Sequence, residues 1–148
     1  MKRGFTLIEI LIYMGLMAAL IIVLTNVFVT VLETQLESSS TSVVEIDGRY
    51  LLSRLIYDIH QAANITTPAT AGQTTVSLTL NTHSYSVSDG VLYIDGTDRL
   101  NSIDTQISNF SVTRIGNSVA NDTLQISFTL TSLSQSQNYQ TSVSLRTN

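Results

Sequence analysis

Met1-Lys2-Arg3-Gly4-Phe5-Thr6-Leu7-Ile8-Glu9 opens the chain, and an apolar run over residues 10–32 follows without a single charged side chain. That run is about 23 residues, or roughly 35 Å of helix at ~1.5 Å per residue, enough to cross a hydrocarbon core of about 30 Å. Two basic residues stand on its amino side, which predicts that this end stays cytoplasmic and that the rest of the chain lies outside. Glu9 is the anomaly. A carboxylate at the head of a membrane-length segment is costly and marks a function by default.

The remainder is one small domain, since the whole chain has 148 residues. Serine, threonine, asparagine and glutamine dominate from Asn64 onward, with aliphatic residues spaced between them. Only 12% of residues are charged and the formal net charge is −4; loss of Lys2 and Arg3 would take it to −6. A sparse acidic surface argues against nucleic acid as a partner, because phosphate binding needs clustered Lys and Arg. With no cysteine, disulfides, thiol nucleophiles and thiolate metal sites are excluded.

Three ordinary readings of the apolar run leave something unexplained. A secretory signal peptide has a shorter apolar region and a small-residue cleavage site, whereas Val29-Thr30-Val31-Leu32 leads straight into Glu33-Thr34-Gln35. A core helix apolar on every side would need more chain to cover it. A plain single-span anchor accounts for length and charge but not for Glu9 or the Gly4-Phe5 junction.

Those residues resemble the type IV prepilin signal shared by type IV pilins and type II secretion pseudopilins. The resemblance rests on the basic leader, Gly4, Phe5, the Thr6-Leu7-Ile8-Glu9 run and the unbroken apolar helix behind it. It implies cleavage between Gly4 and Phe5 by a prepilin peptidase, N-methylation of Phe5, and assembly with other pilin or pseudopilin subunits. It also implies that Glu9 pairs with the terminal amine of Phe5 in the same or an adjacent subunit. The protein would pass once through the cytoplasmic membrane before entering a filament. Many major pilins carry a proline in the second half of this helix; the only proline here is Pro68.

After a polar stretch whose Ser38-Ser39-Ser40-Thr41-Ser42 run is the weakest helix-forming point, apolar spacing of three and four returns. Val44, Gly48, Leu51, Leu52, Leu55, Ile56, Ile59, Ala62 and Ala63 fall on one face, with Glu45, Arg49, Arg54, Asp58 and Gln61 mostly away from it. Gly48 is a candidate bend, and Asn64 and Pro68 mark the end. The period then becomes two: Val76, Leu78 and Leu80; Tyr85 and Val87; an Asp89-Gly90 hairpin into Val91–Ile94, closed by Asp95-Gly96. Ile107, Phe110 and Val112 suggest a poorer strand, and Leu124, Ile126, Phe128 and Leu130 the clearest one. Tyr139, Val143 and Leu145 suggest a last strand beyond a polar turn over 132–138.

The expectation is an α+β protein: a long N-terminal helix, membrane-spanning in its first half, whose second half packs on an antiparallel β-sheet. The divisions are a leader at 1–4, an assembly helix at 5–32, an amphipathic continuation at 33–63 and a sheet domain at 64–148. The stretch Leu55-Ile56-Tyr57-Asp58-Ile59-His60-Gln61-Ala62, the 85–94 hairpin and the late strand pair are most similar to minor J-type pseudopilins and W-type minor pilins. No catalytic constellation surrounds His60 or His83, read as a helix and a strand residue with solvent-facing rings, and neither enzyme activity nor a cofactor is expected. Asp89, Asp95 and Asp98 carry the oxygen chemistry for a hard cation such as calcium, but Asp-Gly pairs are what hairpins require, and the turn reading is preferred. Triplets at Asn64, Asn109 and Asn121 fit the glycosylation pattern as a composition so rich in Asn, Ser and Thr would by chance. The function so implied is a minor structural subunit of a type IV pilus, competence pilus or type II secretion pseudopilus. The alternative is a membrane-anchored binding module that does not polymerise.

Overall fold

The computed structural model describes residues 6–116, 122–133 and 135–145. Among these described residues one helix, α1 (Leu7–Gln61), precedes nine strands. The chain divides into two units, Met1–Ser38 and Ser39–Asn148.

In the first unit the helix is apolar over residues 10–32 and exposed apart from a half-buried Glu9, and no residue of its membrane-length window is buried. Its hydroxyls are satisfied locally. Thr25 Oγ1 donates to the Ile21 carbonyl (2.9 Å), Thr30 to Asn26 (3.0 Å) and Thr34 to Thr30 (2.9 Å). These bonds spare the polar groups an unsatisfied position in hydrocarbon.

In the second unit α1 buries one stripe: Ser40, Val44, Gly48, Leu51, Leu55, Asp58 and Ile59. The steps of four, four, three, four and three, with Ile59 four past Leu55, follow the helical repeat. The serine run expected to be the weakest point is helical and buries Ser40, because packing of a helix face outweighs intrinsic propensity. Gly48 has a packing role rather than a bending one. A Cβ placed there would lie 2.0 Å from Cζ of Tyr139. Tyr139 also donates its hydroxyl hydrogen bond to the Val44 carbonyl (3.0 Å) and stacks on Phe128 at 5.4 Å.

The strands form two antiparallel sheets, where one was expected. The first has the order β1 (Ile65–Thr67), β3 (Ser77–Leu80), β4 (Ser84–Ser88), β5 (Val91–Ile94), β6 (Asp98–Arg99). The second has the order β2 (Thr74–Thr75), β7 (Gln106–Ile115), β8 (Thr123–Ser132), β9 (Gln135–Ser144). The short β2 crosses from one sheet to the other and pairs Thr74 with Thr113. Val76, expected to point inward with Leu78 and Leu80, sits at that crossover and is 74% exposed. The Asp89-Gly90 turn is as expected, with φ of 51° and 75°. In β7 the uneven step from Ile107 to Phe110 is a bulge: the register shifts between Ser108 and Ser111, and Asn109 takes φ 53°. Strand β9 begins at Gln135, so most of the polar run expected as a turn is strand.

Both sheets contribute to one core. It contains Val44, Leu51, Leu55 and Ile59 of α1, Leu78, Tyr85 and Leu92 of the first sheet, and Val112, Leu124, Ile126, Phe128 and Leu130 of the second. At ~25 cal/mol per Å² of apolar surface, each fully buried Leu or Ile contributes about 2 kcal/mol. A loop is tied to α1 through Asp47, whose Oδ2 accepts from Thr105 Oγ1 (2.6 Å) and the Ser102 N–H (2.8 Å). Asn101 holds that loop from inside, donating to the Thr105 carbonyl (2.7 Å) and accepting from the Leu92 N–H (3.0 Å).

Candidate functional site: the head of the apolar helix

Thr6 stands immediately before α1, and its carbonyl accepts the N–H groups of Glu9 (3.1 Å) and Ile10 (3.3 Å). Glu9 therefore lies in the first turn, where the helix dipole favours a negative charge. One turn on, the Tyr13 hydroxyl donates to Glu9 Oε1 at 3.4 Å. A phenol at i+4 satisfies one acceptor of a group that lies on an otherwise apolar surface. Gly4 and Phe5, the residues expected to frame the cleavage, lie outside the described residues. Gly15, two positions past Tyr13, has nothing beyond its chain neighbours and its own helical backbone within 4 Å of where its Cβ would stand.

The three aspartates considered for a cation lie in and beside the turns that join β4, β5 and β6. Asp95 Oδ2 meets His83 Nδ1 at 2.8 Å, and its Oδ1 accepts the Ser84 N–H at 2.8 Å. The Ser84 N–H, then the imidazole, hold the Asp95 carboxyl below its ordinary range. His83 precedes β4 rather than lying within a strand. Asp89 is a turn residue and Asp98 pairs with Ile94 at the sheet edge. No group of three or more His, Asp or Glu side chains suited to a metal ion occurs among the described residues.

The pattern reading missed one polar cluster. Asp58, expected away from the apolar stripe, is only 4% exposed. Its Oδ2 accepts from Arg54 Nε (2.7 Å) and from the Tyr85 hydroxyl. Burial, then the hydrogen bond to Asp58, push the Tyr85 hydroxyl pKa up, and the carboxylate raises that of Arg54. The signal was present: 58 follows 51 by seven and 55 by three, which is a core position. Across the sheets, Arg114 joins Asp122 and donates to the carbonyls of Ala69 (2.9 Å) and Pro68 (3.2 Å).

A family model for the prokaryotic N-terminal methylation motif matches residues 1–25. No curated protein and no solved structure shows a significant match to the chain. The match covers the leader, Glu9 and most of the apolar run, and the helix with its motif fits a single-pass membrane-anchored protein. The chain thus carries a prepilin-type N-terminal segment, which supports the type IV pilin and pseudopilin family.

Proposed function

We infer that the protein is a minor structural subunit of a type IV pilus, competence pilus or type II secretion pseudopilus, of the J or W kind. The observation that carries this reading is the methylation motif standing at the head of an exposed apolar helix that leads into a separate α+β unit. Prepilin peptidase cuts between Gly4 and Phe5 on the cytoplasmic side, and Phe5 becomes the methylated first residue. The domain lies outside the membrane until the subunit enters the filament.

Glu9 sets register. A carboxylate in an apolar helix bundle is tolerated only when paired, and the amine of Phe5, in the same or a neighbouring subunit, is the nearest charge of opposite sign the motif supplies. Apolar packing provides most of the association, and a misregistered subunit leaves both charges unpaired. The Tyr13 hydroxyl holds one carboxylate oxygen meanwhile.

The test is Glu9→Leu. Removing a charge from the span lowers its insertion cost, so cleavage and membrane insertion proceed, while incorporation into sheared filaments falls at least about tenfold, the equivalent of ~1.4 kcal/mol. Glu9→Asp lies between. Normal incorporation of the cleaved Glu9→Leu protein would defeat the pairing.

A further inference from the structure

We propose that the outer edge of β9 is a docking site for an extended, uncharged segment of a different polypeptide, which adds to the second sheet as a fifth strand. Of the four sheet edges among the described residues, three are short: β1 has three residues, and β2 and β6 have two each. Brevity is a common protection of an exposed edge, as are charge, proline and bulges. The fourth edge, β9, has ten residues, and none of them is charged or a proline. Its register with β8 is unbroken from Ser132↔Gln135 to Thr123↔Ser144.

The groups it offers can be named. The Leu145 N–H donates to the Asp122 carbonyl at 2.9 Å, which makes that pair a hydrogen-bonded one in the same register. Alternation along an antiparallel ladder then turns the N–H and C=O of Ser136, Asn138, Gln140, Ser142 and Ser144 away from β8. The side chains of these five are exposed on the wet face.

On the opposite face the edge borders a cleft of about 320 Å³ between α1 and β9, lined by Val44, Glu45 and Arg49 on one side and by Gln137 and Tyr139 on the other. Every second side chain of an added strand would enter it. Glu45 and Arg49 form an ion pair with each other, so the cleft offers an incoming charge no net counter-charge. A segment with apolar or hydroxyl side chains on that face fits, and a charged one does not.

A second copy of the chain fits poorly. Antiparallel pairing of two β9 edges puts a two-fold axis perpendicular to the sheet. That axis points the amino ends of the two domain helices in opposite directions, whereas copies anchored in one membrane enter their domains from the same side. The inference holds whether or not the protein polymerises.

The experiment uses the full chain in detergent micelles and, as probe, a synthetic peptide with the β8 sequence Thr-Leu-Gln-Ile-Ser-Phe-Thr-Leu-Thr-Ser. Residue-resolved hydrogen exchange should slow about tenfold or more at the five outward amides when peptide is added. Gln140→Pro removes one outward N–H and leaves the β8 ladder whole, so it should keep the melting temperature and lose the protection. Ser142→Lys, which keeps its N–H but adds an edge charge, should weaken binding, and it serves if the proline variant does not fold. No protection in the wild type, or equal protection in both variants, would overturn the proposal. Concentration-dependent dimerisation abolished by Gln140→Pro would assign the edge to a second copy and overturn it as well.

Discussion

At Gly48 and Asp58 the packed neighbour, rather than the residue type, decides the role. Gly48 falls on the apolar stripe and by sequence is a candidate bend. The ring of Tyr139 occupies the space where its side chain would stand. Glycine in an exposed helix interior is about 1 kcal/mol worse than alanine, yet here Gly48→Ala should destabilise by roughly 1–3 kcal/mol through overpacking. Chemical denaturation of the single variant, of Tyr139→Ser and of the double variant should show strong non-additivity; additive effects would remove the contact as the cause. Asp58 was placed on the polar side by its chemistry and in the core by its spacing, and spacing prevailed. Tyr85→Phe should cost about 1–3 kcal/mol by depriving a buried carboxylate of a donor. The folded-state Tyr85 pKa is raised above the ordinary 10.0. The neutral phenol is therefore favoured by folding, and its contribution is whole below pH 10.0 and declines as pH rises toward the folded value. Tyr85→Phe should lessen that alkaline loss of stability; an unchanged profile would place the titration elsewhere.

Elements were legible where their period was clean. The alternation in β8 and the Asp89-Gly90 hairpin could be read directly, because a half-buried strand and a type I′ turn impose strict local demands. The split into two sheets could not, since β2 has two residues and its pairing with β7 is a tertiary choice without a local signature. The polar composition of β9 hid its first part, residues 135–138, for a related reason: serine, asparagine and glutamine alone read as a turn, and only the part around Tyr139 and Val143 was legible as a strand. Helix α1 changes its environment without changing its form, being exposed on all sides in the first unit and buried along one stripe in the second. A fragment spanning 39–148 keeps the whole stripe and core. It should fold as a soluble domain with mixed helix and strand by circular dichroism and a cooperative melt. Aggregation or disorder would mean that residues before Ser39 are needed to complete the core.

At the scale of the molecule, the N-terminal segment was readable because its demands are chemical and contiguous: a basic leader, a small residue, an aromatic, one carboxylate and a long apolar run. The sheets carry no such signature, and the choice among pilus, competence pilus and pseudopilus depends on partners rather than on this chain's own fold. The proposed role therefore turns on what happens at Gly4 and Phe5. Gly4→Val should block cleavage and hold the protein in the membrane as precursor, seen as a shift on a denaturing gel. The most direct measurement is mass spectrometry of the wild-type protein purified from its own membranes. A mature chain that has lost Met1–Gly4 and begins with a singly methylated Phe5 is the expected result. A chain still beginning at Met1, or cut elsewhere such as after Thr30, would contradict it.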